Sequence, residues 1–290
     1  MTTPDTQAGP VAAAADPAPA VNHVQLAALS AVLAGVLAAG SYTGTVSMLV
    51  AVAVLQAVLV PCWVLGHRLP GRIGGLVIGG LAAAAADGLT LHWPDSGYSP
   101  VLGVLGVAIP ALFLHQLTRG VVRTRVVESL AGLALLLVAV VAPAGLIVLR
   151  HEADGRTVTL SLVAAFGVGL VAAHLMDAVL PSPRFDPAVD RGLPAVVVGV
   201  IAGGALGYLG LRDLIDFAGG RGIFAGAAVA AVGCLLSIAA SFADARTGEP
   251  VAAGNAGPGR LDRLRPAAAV AIAIALTVPA GYVLSTALTS

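Results

Sequence analysis

Apolar residues along this chain fall into nine long runs that are separated by short polar segments. The runs cover about residues 24–39, 44–66, 73–90, 101–117, 126–149, 157–180, 193–211, 223–242 and 266–288. Most of them approach the ~18 uncharged residues that a helix, rising ~1.5 Å per residue, needs to cross ~30 Å of hydrocarbon. We therefore predict an all-α fold, a polytopic transmembrane helix bundle of about nine spans, in which residues 23–290 form a single transmembrane domain.

Two segments depart from this pattern. The third run is the weakest because Asp87 lies inside it, and we expect this carboxyl to lie near an interface or to face a neighbouring helix. Residues 1–22 are rich in Ala and Pro without periodicity, which predicts a disordered N-terminal tail. The charged residues before Val24 are Asp5 and Asp16, not a basic cluster, so the first run is interpreted as a retained span.

The arginines give an independent indication of topology. If the N-terminus is cytoplasmic, the inside loops contain eleven of them: Arg68, Arg72, Arg119, Arg123, Arg125, Arg184, Arg191, Arg246, Arg260, Arg263 and Arg265. The outside loops contain four: Arg150, Arg156, Arg212 and Arg221. This division follows the positive-inside rule and predicts a multi-pass protein of the inner (plasma) membrane, with its N-terminus cytoplasmic and its C-terminus outside.

Composition supports a membrane environment and excludes several functions. Hydrophobic residues make up 58% of the chain and charged residues 10%, with a mean hydropathy of +0.95. All fifteen Lys and Arg residues are arginine, which excludes a catalytic lysine, and the formal net charge of zero argues against a nucleic-acid partner. Cys62 and Cys234 both lie in apolar runs, so we expect buried thiols and neither a disulfide nor a zinc site.

Small and polar residues inside the runs suggest specific contacts. Gly199, Gly203 and Gly207 recur every fourth position of the seventh run, which predicts close helix packing in preference to a ligand role. His174 and Asp177 are three residues apart and share a helix face. A local hydrogen-bonded pair near the interface is the simpler interpretation, and a proton or metal role is the alternative.

The cytoplasmic loops after the sixth and eighth runs hold most of the remaining charge. In the second of these loops, Arg260, Arg263 and Arg265 precede the last span. Basic residues beside a span orient it and attract anionic headgroups, while guanidinium groups can also bind a lipid phosphate through paired hydrogen bonds. The three arginines are therefore candidates for lipid or phosphate binding as well as topological signals.

The segment from the eighth run to the last helix contains Gly233, Leu235, Gly259, Asp262, Arg263 and Leu264. With these residues it resembles the phosphatidate cytidylyltransferases. These enzymes make CDP-diacylglycerol from CTP and phosphatidate and have nine spans in many bacteria. Their signature contains Gly-Asp-Leu and later Pro-Gly-His-Gly-Gly-x-x-Asp-Arg-x-Asp before the final helix. The residues named above match this signature.

Other positions depart from the family's signature. Cys234 replaces the Asp of Gly-Asp-Leu, Ser237 replaces a Glu, and Arg265 replaces the final Asp. Further departures are Ser241 and Phe242 in place of Lys-Arg, and Gly257 in place of His. Asp177 matches an acidic residue at the end of the family's sixth helix, and Ser182-Pro183 resembles its Ser-Pro-Lys-Lys motif. The resemblance adds Ser182 and Arg184 to the lipid or phosphate candidates.

The family reaction requires divalent cations because clustered phosphate charge must be neutralised before one phosphate attacks another. The resemblance therefore implies Mg²⁺ as cofactor if the protein is active, with Asp262 and Asp177 as candidate metal ligands. Two carboxylates could bind one Mg²⁺ together with a substrate phosphate, whereas a complete two-metal site is not expected.

Three functions remain open at this point. The first is a cytidylyltransferase-like protein with lost or altered catalysis that binds phospholipid or a protein partner at the cytoplasmic leaflet. The second is an active, divergent enzyme that makes a CDP-lipid from CTP and a lipid phosphate. The third is a small-molecule transporter, disfavoured because Pro110 and Pro143 lack polar residues at similar depth. The expected partners are membrane lipids, with a lipid phosphate, CTP, a protein partner or a second copy as further possibilities.

Overall fold

The structure is a computed structural model that describes residues 22–119, 125–187, 189–214, 218, 220–247 and 261–289. Within these residues, nine helical segments are long and apolar enough to cross a membrane, which confirms the predicted all-α, nine-span bundle. The helices are α1 (His23–Thr43), α2 (Thr45–Gly66), α3 (Arg72–His92), α4 (Ser99–Thr118), α5 (Val126–Val141), α6 (Gly145–His151), α7 (Gly155–Val179), α8 (Leu193–Leu211), α9 (Arg221–Thr247) and α10 (Arg265–Thr289). The predicted N-terminal tail covers residues 1–22; all of these except Asn22, which caps α1, lie outside the described residues, so the tail stays a prediction.

Contacts between helix termini show that successive spans alternate in direction. At one end of the bundle, where α1 begins and α2 ends, His67 lies 3.1 Å from Asp244 near the end of α9. At the opposite end, Arg150 donates to the Ser41 carbonyl at the end of α1, and the Tyr98 and Tyr282 rings lie 5.0 Å apart. We call the first the arginine-rich end, because the described arginines of the predicted inside loops lie there. Its assignment to the cytoplasm is a prediction that labelling can test.

The fifth span is broken, which the sequence pattern did not predict. A single 3₁₀ turn, Ala142–Ala144, separates α5 from α6, and Pro143 in this turn has no amide hydrogen to offer the preceding carbonyls. The buried Gln56 side chain donates 3.0 Å hydrogen bonds both to the Val140 carbonyl and to the Asp87 carboxyl. Asp87 therefore faces neighbouring helices, as expected, and the break at Pro143 has the polar companions that the sequence analysis did not find.

We expect Gln56→Leu to destabilise the bundle by about 1–2 kcal/mol, because it removes the donor to two buried acceptors. Unfolding in mixed detergent and dodecyl sulfate micelles measures this change. The double variant Gln56→Leu/Asp87→Leu is the control, and it should cost less than the sum of the two single substitutions. Additive losses would show that the Gln56–Asp87 hydrogen bond contributes nothing.

Glycines of α8 allow its backbone to contact α7 and α9, which agrees with the predicted packing role. An added Cβ at Gly203 would lie 2.2 Å from the Ala230 Cβ, and one at Gly207 would lie 2.3 Å from the Gly222 carbonyl oxygen. Side-chain rotation cannot relieve either clash, because the Ala230 Cβ and the Gly222 oxygen both have positions fixed by the backbone. The glycines therefore let the backbones of α8 and α9 come into direct contact.

Gly207→Ala is expected to lower the free energy of unfolding by about 1–3 kcal/mol through overpacking. Gly106→Ala is a matched control, since Gly106 also lies in a spanning helix and an added Cβ there meets nothing within 4 Å. The control should be neutral or slightly stabilising because alanine favours helix. Equal behaviour of the two variants in thermal unfolding would be inconsistent with the packing described here.

The connection between α7 and α8 forms a short antiparallel hairpin. Its strands are β1 (Arg184–Asp186) and β2 (Val189–Gly192), with Arg184 paired to Gly192. Asp177 at the end of α7 accepts a 2.8 Å hydrogen bond from the Gly192 amide, which fixes the second strand against the helix. Because of this arrangement, the residue before Gly192 enters the interior of the bundle.

Candidate functional site

A buried arginine organises the polar residues between α7, α8 and α9. Arg191 is 2% exposed, and its guanidinium lies 2.6 Å from His174 Nδ1, 2.6 Å from Ser237 Oγ and 2.9 Å from Asp177 Oδ2. The contact with Asp177 Oδ2 has ion-pair distance without hydrogen-bond alignment, while Asp177 Oδ1 is bonded to the Gly192 amide. We call these residues, His174, Asp177, Arg191 and Ser237, the Arg191 cluster.

The contacts determine the tautomer of His174. A guanidinium group can only donate hydrogen bonds, so His174 Nδ1 must accept and the proton of a neutral ring lies on Nε2. From there it points to Ser237 Oγ at 3.5 Å. His174 and Asp177 therefore interact through Arg191, in place of the direct local pair that their spacing suggested.

Electrostatics explain why Arg191 has so many partners. Burial lowers the pKa of the Arg191 guanidinium, and the Asp177 carboxylate opposes that change. A charge removed from water needs both a counter-ion and hydrogen bonds, and Asp177, His174 and Ser237 supply them. The cluster is thus a buried ion pair with a net charge of zero when the His174 ring is neutral.

A third element approaches the same cluster from α1. His23 is 92% buried, its ring centroid lies 6.2 Å from that of His174, and its Nδ1 has no hydrogen-bond partner among the described residues. One ligand atom each from His23, His174 and Asp177 lies within 4.8 Å of the others, an arrangement that could hold a metal ion. The Arg191 guanidinium lies beside the ligand atoms of His174 and Asp177. A metal ion could therefore bind all three residues only if the guanidinium moved away.

Magnesium, which the family resemblance implies, does not fit this cluster. Mg²⁺ prefers several oxygen ligands in octahedral geometry. Asp177 is the one carboxylate in the cluster, and both of its oxygens face Arg191 or Gly192. On α9, the resemblance aligns Cys234 and Ser237 with two acidic residues of the family. Cys234 packs with Ala173 and Ala195, and Ser237 binds Arg191.

A pocket of about 310 Å³ opens beside the cluster, at the arginine-rich end. The buried residues His23 and Asp177 line it together with Arg184 and Asp190 of the hairpin. Arg184 and Asp190 form a 2.8 Å ion pair, so the wall presents both signs of charge. The pocket therefore brings the predicted residues Asp177 and Arg184 together, while Ser182 lies exposed in the same connection.

The other predicted residues lie at the end of α2. Asp262 is 3.0 Å from Arg68 and 3.7 Å from Arg265, and the Arg265 side chain donates to the Gly66 carbonyl at the C-terminus of α2. Arg263 is exposed. The two candidate metal ligands thus have different partners: Asp177 contacts Arg191 and Gly192 of the hairpin, and Asp262 contacts Arg68 and Arg265. Arg260 lies outside the described residues, so its predicted role stays a prediction.

Sequence reasoning did not identify His23, Arg191 and Ser237 as members of one site. Arg191 was counted as a loop arginine, and nothing in its neighbouring residues reveals that the hairpin inserts it into the bundle. The ends of helices that are distant in sequence meet here, and periodicity along the chain does not report such contacts. No model of a known protein family, no curated protein and no solved structure matches this chain.

Proposed function

We propose that this multi-pass membrane protein is a divergent relative of the phosphatidate cytidylyltransferases that binds phospholipid at the cytoplasmic leaflet and has lost cytidylyl transfer. The observation that carries the proposal is the composition of the Arg191 cluster. Asp177 on α7 and Cys234 and Ser237 on α9 are the positions aligned with acidic residues of that family. Asp177 and Ser237 are some 60 residues apart in sequence, yet they lie 2.9 Å and 2.6 Å from the Arg191 guanidinium, and Cys234 precedes Ser237 by about one turn of α9.

This arrangement agrees with a protein that kept the family layout and exchanged metal ligands for an internal cation. In such a protein two acidic positions become neutral, and Arg191 supplies one fixed positive charge among them. That charge is already neutralised by Asp177, so it is not free to stabilise the phosphates of CTP and phosphatidate. Catalysis by metal-assisted phosphate attack would then be lost, while the membrane-facing surfaces would remain available for lipid.

Lipid binding is the function that remains for such a scaffold. Basic side chains lie at the arginine-rich end, where spanning helices terminate and headgroups would be located. Ser182 and Arg184 stay candidates for headgroup contacts, although Arg184 would have to share its charge with Asp190. Arg265 is a weaker candidate, since it contacts the end of α2 and Asp262.

The test combines catalysis and binding on the purified protein. Incubation with labelled CTP, Mg²⁺ and a panel of lipid phosphates should give no CDP-lipid, with a known active cytidylyltransferase as positive control. Native mass spectrometry in detergent should show retention of phosphatidate in preference to phosphatidylcholine. CDP-lipid formation that Asp262→Ala abolishes would establish the active enzyme instead and overturn the proposal.

A small-molecule transporter is the second candidate, because one observation favours it. The broken fifth span at Pro143 lies beside the buried Gln56 and Asp87, and broken helices with polar companions are typical of transporter substrate sites. Proteoliposome uptake assays with small cations and polar metabolites would test this function. Flux that Asp87→Leu abolishes, with the fold retained, would favour transport over lipid binding.

A further inference from the structure

A second pocket at the arginine-rich end is lined by three arginines. It has a volume of about 640 Å³ and lies where α2 ends and where α3 and α5 begin. The guanidinium-bearing residues on its wall are Arg68, Arg72 and Arg125, and none of the eight described residues that line it is acidic. We call it the arginine pocket. It is separate from the pocket beside the Arg191 cluster, with which it shares no lining residue.

The arginines of this pocket differ in how far they are neutralised. Arg68 pairs with Asp262 at 3.0 Å, and Arg125 pairs with Glu128 in the next turn of its own chain segment. Arg72 is exposed and makes no ion pair or hydrogen bond with the described residues. Among the described residues, the pocket thus has one cation without a counter-ion and two cations whose carboxylates lie outside its wall, so its interior favours an anion.

The backbone adds to this positive potential. Residues 71–74, which contain the N-terminus of α3, lie on the pocket wall. The first amides of a helix have no carbonyl partner within the helix and carry the positive end of its dipole. Gly71, the N-cap residue, has φ 79°, and a Cβ there would lie 2.8 Å from His115 Nε2, so this close approach needs glycine. Free amides and guanidinium groups together suit the oxygens of a phosphate.

The surface of α3 next to the pocket is apolar and exposed. Ile73 forms part of the wall, and it is followed on the same face of α3 by Val77 and Leu81, one turn apart each. Their exposed fractions are 81%, 53% and 66%, so this stripe faces the surrounding hydrocarbon. A free phosphate has no apolar group that could pack against this stripe, whereas a lipid would place its acyl chain along it.

We infer that the arginine pocket binds the phosphate-bearing headgroup of an anionic membrane lipid, whose acyl chain lies against Ile73, Val77 and Leu81. The inference rests on the lipid-binding part of the proposed function and adds the place and the chemistry of the headgroup. Arg72 makes the main ion pair, Arg68 and Arg125 contribute further charge, and the first amides of α3 donate hydrogen bonds to the remaining phosphate oxygens.

Native mass spectrometry of the full-length protein in detergent tests the site, with dioleoyl phosphatidate as probe. Arg72→Gln should weaken retention about fivefold, as expected for one interfacial charge, and Arg72→Gln/Arg125→Gln about 25-fold. Arg72→Lys keeps the charge and should retain most of the binding, which separates a local loss from misfolding. Arg212→Gln, at the opposite end of the bundle, is the matched control and should not change retention.

Three results would overturn the inference. Retention that is equal in wild type and Arg72→Gln would place the headgroup elsewhere, and a loss caused by Arg184→Gln instead would assign it to the pocket beside the Arg191 cluster. Displacement of phosphatidate by glycerol 3-phosphate at comparable concentration would indicate a site for soluble phosphates. In contrast, a wild-type protein that retains phosphatidate no better than phosphatidylcholine would refute the proposed lipid binding itself.

Discussion

Arg191→Met is expected to lower the free energy of unfolding by about 3–5 kcal/mol, because it leaves the Asp177 carboxylate buried without its counter-ion. Methionine has a similar length and fits an apolar interior, so the loss would come from charge and hydrogen bonding more than from packing. Arg191 and Asp177 are both 2% exposed, and water cannot easily replace the missing partner. Equilibrium unfolding in mixed detergent and dodecyl sulfate micelles measures the effect.

Two control variants make this prediction specific. The double variant Asp177→Leu/Arg191→Met removes both charges and should be more stable than Arg191→Met alone, since no buried ion remains unpaired. Arg212→Met replaces an exposed arginine at the other end of the bundle and should have little effect. A double variant as unstable as Arg191→Met would show that Asp177 and Arg191 are not energetically coupled.

The second large effect is expected in a labelling experiment on topology. In a variant whose native Cys62 and Cys234 are replaced by alanine, Asp95→Cys should react with a membrane-impermeant maleimide in intact cells. Ser182→Cys should react only after the membrane is permeabilised. Both positions are exposed, and they lie at opposite ends of the bundle, so the difference in labelling should be nearly all-or-none.

Asp213→Cys provides a matched position for the outside face, because its side chain is 91% exposed and it follows α8 at the same end as Asp95. It should behave like Asp95→Cys. Equal labelling of Ser182→Cys and Asp95→Cys in intact cells would contradict the predicted orientation. Reversed labelling would place the arginine-rich end, and with it both pockets, on the outer side of the membrane.

Both candidate metal ligands are already engaged by arginine side chains. Asp177 and Asp262 were selected as candidate metal ligands because both match acidic positions of the signature. The structure places Asp177 against Arg191 and Asp262 against Arg68, so each carboxylate already neutralises an arginine. We therefore expect no CDP-lipid to form in the assay with CTP and Mg²⁺. Product formation would require both ion pairs to open.

The fold class and the number of spans follow from the hydropathy pattern along the chain. Apolar runs of membrane-spanning length have essentially one stable form in hydrocarbon, because every backbone amide and carbonyl must be paired within the segment. The same reasoning located the close packing at Gly203 and Gly207, since small residues at every fourth position lie on one helix face. The side chain of Asp87 was expected to lie near an interface or to face a neighbouring helix, because a lipid-facing carboxyl would be too costly, and its hydrogen bond with Gln56 shows the second arrangement.

Which polar side chains meet depends on how the helices pack and could not be predicted from the chain. His23, Arg191 and Ser237 come from the start of α1, the hairpin and α9, and no local pattern connects positions so far apart. The break at Pro143 was overlooked because its companions, Gln56 and Asp87, lie on other helices. The hydropathy and charge of a segment predict whether it spans the membrane and on which side its ends lie. Ion pairs and pockets depend instead on how the helices are arranged around one another. That arrangement inserts Arg191 between Asp177 and Ser237, and it gathers Arg68, Arg72 and Arg125 around one pocket.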